Sequence, residues 1–272
     1  MTRITRIIIC LLFMVSVTLL AQLGPKLRGF RNLHIGGEFQ LYGGCSPALE
    51  QNLFGWWKAD ALTNAVNGAP VVYWPDSSGH NLHITLGDGN TAHTPTWTNS
   101  FLNGLPAVFF DGLDDYMTNA CAMVQTNLIF IVFNNQPPQT GDSYVSVIQG
   151  KVSVNTGQSM YFLNTNDMIR ISIPAHVPTT DHIIPGTNFN TFFGAQYANT
   201  SGRSWTNGVS CNVGTSGGTD GMQGGMTIGC SAAQTAFWRG YIMEMFCITN
   251  AFMTPSISNN VNCYISAKYG IF

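Results

Sequence analysis

Three aspartates fall in one short stretch, Asp111-Gly112-Leu113-Asp114-Asp115. Hard oxygen ligands gathered from neighbouring chain positions suit calcium, with backbone carbonyls able to complete the shell. The spacing is not that of an EF-hand loop. The same residues have a plainer role, since Asp111-Gly112 builds a turn through hydrogen bonds from the Asp side chain to nearby backbone. Asp76, in Pro75-Asp76-Ser77-Ser78-Gly79, carries the same two readings, with the turn role favoured.

Glycoside hydrolysis needs two carboxylates across the scissile bond. The chain has three glutamates, Glu38, Glu50 and Glu244, and the residues two places beyond them are Gln40, Asn52 and Phe246. No Glu-x-Asp-x-x-Glu strand is present. Glu244 alternates with Ile242, Phe246 and Ile248, so it reads as a buried, hydrogen-bonded carboxylate that supports a sheet. His80, His83 and His93 are close in sequence but separated by turn residues. They read as exposed loop histidines rather than a transition-metal set. His176 and His182 flank a loop, and no spacing singles them out as a catalytic base.

Sugar recognition needs exposed rings, because apolar sugar faces stack on them. Trp97 and Tyr197 adjoin polar loop residues and are the candidate ligand-binding rings. Trp56, Trp57 and Trp238 read as packing residues.

The elements that must position these groups are short strands. Leu53 to Asp60, His83 to Leu86, Ala107 to Phe110 and Tyr116 to Met117 are bounded by Asn, Asp, Gly and Ser turns. Asn127 to Phe133 is apolar on both parities and predicts a central strand buried on both faces. Strands follow at Tyr144 to Ile148, Met160 to Leu163, Met168 to Ile173, Phe189 to Tyr197 and Arg203 to Thr206. Asn207-Gly208 is a strong hairpin signal. Gly214 to Gly225 predicts an irregular loop, and Met226 to Gly229 and Trp238 to Thr249 the last strands. One helix closes the chain, with Thr254 as N-cap, Pro255 at its first position and Gly270 as its stop. Many short strands and one terminal helix predict an all-β, two-sheet antiparallel sandwich.

The chain has 272 residues, of which 45% are hydrophobic and only 9% charged, with a formal net charge of −2. No basic patch appears, so nucleic acid is not an expected partner. The polar surface must come from Asn, Thr, Ser, Gln and Gly, which favours a secreted or cell-surface protein. Arg3 and Arg6 precede the apolar run Ile7 to Ala21, which reads as a signal peptide. The alternative is an uncleaved N-terminal membrane anchor. Residues 22–50 read as a linker or arm, and residues 51–272 as the domain. Cys45, Cys121, Cys211, Cys230, Cys247 and Cys263 remain beyond the apolar run. They read either as disulfide partners or as buried thiols. The one pairing suggested is Cys211 with Cys230, across the Gly-rich segment.

Four segments resemble a laminin-G-like, concanavalin A-like jelly roll in order. They are Gly55-Trp56-Trp57-Lys58-Ala59-Asp60 with Trp74-Pro75-Asp76-Ser77-Ser78-Gly79; Pro106 to Gly112 with Asp115-Tyr116; Trp205-Thr206-Asn207-Gly208-Val209; and Ile228-Gly229 with Phe237 to Phe246 and the terminal helix. The resemblance implies a jelly-roll sandwich that binds a glycan or a partner protein and usually has no catalytic activity. Some members carry calcium, for which Asp111, Asp114 and Asp115 are the candidate ligands here. The expected function is therefore an exported, non-catalytic, lectin-like module for a polysaccharide or surface glycan. The alternatives are a cell-surface adhesion or structural module, and an enzyme on the same fold.

Overall fold

The computed structural model describes residues 44–63, 66–120, 122, 126–136, 144–150, 159–163, 168–172, 180–183, 190–198, 201–215 and 224–272. The chain divides into two compact units, Met1–Leu41 and Tyr42–Phe272, and every described residue belongs to the second. The expected signal peptide or anchor at 1–21, most of the arm and Cys121 lie outside the described residues. Among the described residues no helix is long and apolar enough to cross a membrane.

The strands in chain order are β1 (Leu53–Lys58), β2 (Tyr73–Trp74), β3 (Ile84–Leu86), β4 (Thr96–Leu102), β5 (Leu105–Asp111), β6 (Met117–Asn119), β7 (Asn127–Asn135) and β8 (Tyr144–Gly150). They continue with β9 (Ser159–Leu163), β10 (Met168–Ser172), β11 (Thr180–Ile183), β12 (Asn190–Ala198), β13 (Ser201–Thr206), β14 (Val209–Thr215), β15 (Met226–Ile228) and β16 (Arg239–Thr249), and the helix α1 spans Pro255–Tyr269. They form two eight-stranded antiparallel sheets. The first runs β14-β13-β12-β7-β16-β5-β4, with β1 also paired to β16, and the second runs β11-β10-β9-β8-β15-β6-β3-β2. The protein is an all-β sandwich with one C-terminal helix.

The strand β7 shows why the first sheet is covered on both sides. Side chains alternate across a strand. Ile129, Ile131 and Phe133 enter the core between the sheets, beside Trp57, Trp74, Val147 and Trp238. Leu128, Phe130 and Val132 enter a second core on the outer face, roofed by Val261, Tyr264, Ile265 and Tyr269 of α1. The helix is capped as its sequence predicts. Thr254 accepts from the backbone of Ile257, and Gly270 takes the left-handed conformation at φ 65°. Asn207-Gly208 forms the expected β13–β14 hairpin turn, with φ of 47° and 78°.

Two expectations are corrected. The segment around Trp97 is a strand, β4, not a loop. Its polar Asn99-Ser100 centre masks it, because the ladder to β5 shifts register between Thr98 and Leu102 and Ser100 turns to φ 51°. His182 lies within edge strand β11, opposite Ile169, while His176 and the segments on either side of that strand lie outside the described residues. The suggested Cys211–Cys230 bond does not form. Cys230 is a buried free thiol just past β15 of the second sheet, whereas Cys211 is on β14 of the first. The disulfide joins Cys45 to Cys263. Beside it, Asn260 Nδ2 donates to Ser46 O at 2.9 Å and to Glu50 Oε1 at 2.6 Å, and Asn260 Oδ1 accepts from Ser46 N at 3.0 Å. The segment carrying Cys45 is thereby docked on α1.

Candidate functional site

Strand β5 ends at Asp111, and the chain turns through Gly112 toward β6. Gly112 sits at φ 79°, and a Cβ there would lie 2.7 Å from Arg239 Cβ. The turn therefore needs glycine. It brings the three expected aspartates together, with ligand oxygens of Asp111, Asp114 and Asp115 all within 4.8 Å of one another. Asp111 also plays the turn role, its Oδ1 accepting from Leu113 N at 2.8 Å. Asp115 is 5% exposed, and its Oδ2 accepts from Asp111 N at 2.9 Å. Burial, then the charges of Asp111 and Asp114, push the Asp115 carboxyl up to about 7, against the pull of that N–H. Three carboxylates in a partly dry turn attract either a proton or a cation.

His93 belongs to the same corner. Its Nδ1 lies 2.7 Å from Asp88 Oδ2, and its Nε2 lies 3.9 Å from Asp114 Oδ2. The hydrogen bond to Asp88 raises its pKa above the usual histidine value. His93 is half-buried and engaged, unlike the loose loop residue the sequence suggests.

Asp76 is a turn builder. Its Oδ1 accepts from Trp56 N at 3.0 Å and Ser78 N at 2.8 Å, and its Oδ2 from Ser78 Oγ at 2.8 Å and Leu82 N at 3.0 Å. Burial acts to raise its pKa, but these bonds prevail and hold it below the usual carboxylate value. The carboxylate thus fixes the Asp-Ser-Ser-Gly turn to β1.

Of the two candidate rings, one is enclosed and the other is partly covered. Tyr197 is fully buried between the sheets, because its strand position shares parity with Phe193 and Ala195. Trp97 is half-buried against the same core, and its Nε1 donates to Ala59 O at 3.2 Å. Three phenylalanine and tyrosine rings are exposed among the described residues, those of Phe252, Phe272 and Tyr73, and of these Tyr73, at 45%, lies on a strand. On β2 its neighbour Trp74 points inward, so Tyr73 faces out, opposite Thr85 of β3. Its ring centroid lies 4.9 Å from that of His83. His83 Nδ1 accepts from Asp76 N at 3.1 Å, which leaves Nε2 to carry the proton of the neutral ring. Thr85 in turn faces Thr118 of β6. Leu86 at the end of β3 pairs with Met117 at the start of β6. Asp88 and the aspartate turn therefore lie at the same end of this β2–β3–β6 margin.

No protein-family model matches the chain, and no curated protein matches it. Solved structures do. Domain 4 of AbnA, a GH43 extracellular arabinanase from Geobacillus stearothermophilus solved with arabinotriose, is 18% identical with a TM-score of 0.53, over 78% of this chain and 99% of that one. The receptor-binding domain of botulinum neurotoxin D is 11% identical with a TM-score of 0.55, over 80% of this chain and 52% of that one. Trypanosoma rangeli sialidase is 11% identical with a TM-score of 0.51, over 79% of this chain and 32% of that one. The likeness is one of fold. This chain spans about a third of the sialidase and half of the neurotoxin domain.

Glu244 is a carboxylate with five hydrogen bonds and no solvent. Trp56 Nε1 donates to Oε1 at 2.5 Å, Tyr264 OH lies 2.9 Å from Oε1 and 3.1 Å from Oε2, Lys268 Nζ lies 2.7 Å from Oε2, and Tyr269 OH 2.6 Å from Oε2. The buried, supporting role read from the sequence holds, but the parity is different. The β16–β7 ladder skips Met243, so a bulge places Met243 and Glu244 on the same face. Ile242 points between the sheets, and Glu244 points to α1 with Phe246 and Ile248. Lys268 also reaches Asp60 Oδ2 at 3.0 Å. Burial acts to lower the Lys268 pKa, but Glu244 and Asp60 prevail and raise it. The sequence carried no direct signal for Lys268 or Asp60. A lysine in the last turn of an amphipathic helix reads as a solvated cation complementing the helix dipole.

Proposed function

We propose that this chain is an exported, non-catalytic binding module, laminin-G-like in type, whose ligand is a polysaccharide or surface glycan. The observation that carries the reading is the β2–β3–β6 margin. There an exposed tyrosine on edge strand β2, braced by His83, belongs to the same sheet as β6, whose entry turn holds a cluster of carboxylates. An aromatic face and nearby acceptors are the parts a sugar site needs. Support also comes from the sandwich shared with a domain solved with arabinotriose and with receptor-binding domains. The Cys45–Cys263 disulfide suits an oxidising, extracytoplasmic setting. Glu244, the one glutamate on a strand among the described residues, is fully enclosed and unavailable to a glycosidic bond.

Calcium fits the aspartate turn as a partner of this site. Asp111, Asp114 and Asp115 would hold it through oxygens already grouped within 4.8 Å, and the ion would supply the countercharge that buried Asp115 lacks. The test is retention on a glycan array in calcium and in chelator, for the wild type and for Tyr73→Ala. Retention lost in Tyr73→Ala is the expected result. No retention of any glycan by the wild type in calcium overturns the reading. It would favour the second reading, a cell-surface adhesion or structural module, for which the covalent tie between Cys45 and α1 is the supporting feature.

A further inference from the structure

Lys268 is a cation in an unusual place. Its side chain is 2% exposed, yet two carboxylates touch its amine: Glu244 Oε2 at 2.7 Å, itself fully buried, and Asp60 Oδ2 at 3.0 Å. Asp60 comes from the 3-10 turn Ala59–Ala61 that follows β1, Glu244 from the centre of β16, and Lys268 from the last turn of α1. The surroundings are aromatic. Trp56 and Tyr264 pack edge to face at 6.1 Å, and the Lys268 amine sits over the Tyr264 and Tyr269 rings at 5.6 and 5.2 Å.

Two carboxylates on one buried amine exceed what an ion pair requires. A pair needs one acid, and a buried pair gains little over apolar packing. The second acid has a use if the first moves a proton. We propose that Lys268 and Asp60 condense into an intramolecular isopeptide bond, with Glu244 as the catalytic residue that carries the proton.

The geometry suits each part of that step. The Lys268 amine already lies within hydrogen-bond distance of the Asp60 carboxyl, so its nitrogen and Asp60 Cγ are held as near neighbours. Glu244 Oε2 takes a proton from the ammonium through the existing 2.7 Å contact. This transfer replaces two charges by two neutral groups; because Glu244 and Asp60 raise the Lys268 pKa, the free amine is a minor species and the condensation is slow. The freed amine attacks Asp60 Cγ. One C–N bond forms and one Cγ–O bond breaks. Of the three ammonium protons, one stays on the amide nitrogen and two leave with the oxygen as water. Glu244 returns its proton to the departing oxygen and ends as the carboxylate it began. Net charge is unchanged, and no oxidant or activated co-reactant is needed. Tyr264 and Tyr269 hold the Glu244 carboxylate in place, and Asp60, whose side chain is 27% exposed, gives the released water a way out to solvent.

The experiment is mass spectrometry of a proteolytic digest of the full chain, reduced and alkylated. The expected result is a branched peptide in which the Asp60 and Lys268 segments are joined, one water lighter than their sum. The wild type should also run faster than Asp60→Ala on a denaturing, reducing gel. Asp60→Ala and Lys268→Arg should lack the branch, and Lys268→Arg keeps a cation for Glu244. Glu244→Gln should fold, as judged by near-UV dichroism, and lose the branch. Separate, unmodified Asp60 and Lys268 peptides from the folded wild type overturn the proposal. A branch from Lys268 to Glu244 overturns the assignment to Asp60, and a full yield of branch in Glu244→Gln overturns the catalytic role.

Discussion

Trp56 and Glu244 are 188 residues apart in sequence, and the indole Nε1 of one donates to a carboxylate oxygen of the other at 2.5 Å. They meet because β1 and β16 pair in register, Trp56 opposite Phe246 and Lys58 opposite Glu244, and because the bulge at Met243 turns Glu244 toward the same face. Glu244→Ala removes one acid from a buried lysine and one acceptor from three donors. The expected loss is about 3–5 kcal/mol of stability, read as a lower urea midpoint by tryptophan fluorescence.

Tyr197, one of the two rings suggested by sequence, should behave as a core residue, and Tyr73 should not. Tyr197→Ala opens space between the sheets and is expected to cost about 3–5 kcal/mol. Tyr73→Ala removes an exposed ring and should leave the unfolding midpoint nearly unchanged. Thermal melts of the two variants check this directly. A large loss of stability in Tyr73→Ala would show that the ring packs rather than binds.

The Asp115 carboxyl sets a pH dependence. Its value is about 7 in the fold against 3.8 for the free group, so between those values the folded state binds a proton that the unfolded state does not. Stability is therefore expected to fall as pH rises from about 4 to about 7, and to flatten above. His93, whose pKa is also raised, acts in the same direction. Asp115→Asn should remove most of the slope and stabilise the protein at neutral pH. Denaturant titrations at stepped pH measure it.

Calcium should reverse that penalty. A ligand that binds only the folded state raises stability by mass action. The midpoint is expected to rise in calcium relative to chelator, most clearly at pH 8, above the value of about 7 at which Asp115 gives up its proton. Asp114→Asn should abolish the rise while keeping the hydrogen bonds that Asp111 and Asp115 give the turn. No calcium effect in the wild type would leave these residues as turn builders alone.

The covalent ties should not be additive. The disulfide closes a loop of 218 residues, and its removal from a protein with no other cross-link typically costs about 2–5 kcal/mol. A bond from Asp60 to Lys268 closes nearly the same loop. Cys45→Ser/Cys263→Ser should thus cost clearly less in the wild-type background than in Asp60→Ala. Equal costs in the two backgrounds would argue against the second bond.

The fold was legible in the sequence wherever period and turn chemistry agreed. Strand β7 is apolar on both parities, and it lies in the middle of a sheet buried on both faces. The Asn207-Gly208 turn and the Thr254, Pro255 and Gly270 punctuation of α1 are local signals and appear where expected. Signals that depend on irregular register were lost. The β4 strand hides behind Asn99-Ser100, where the ladder slips. The bulge at Met243 reverses a face that simple alternation assigns to Glu244. The aspartate turn was readable because its members are adjacent in the chain. Tyr73 was not, since exposure at a sheet edge depends on which neighbour, Trp74, takes the core. Lys268, Asp60 and the Cys45–Cys263 pair join the two ends of the domain. No pattern within a window reports such pairings.

The Cys45–Cys263 tie has a mechanical side. It sets the Cα atoms of those residues 5.9 Å apart, so the strand-bearing part of the domain lies almost wholly inside a covalent ring. A pull applied at residue 44 and at the end of α1 runs through the sulfur bridge and the short stretch of helix beyond it. The sheets hang from that hook without load. Tension that would unzip β1 from β16 in a reduced chain is instead borne by covalent bonds, and the sandwich keeps its shape under strain as long as the bridge is oxidised.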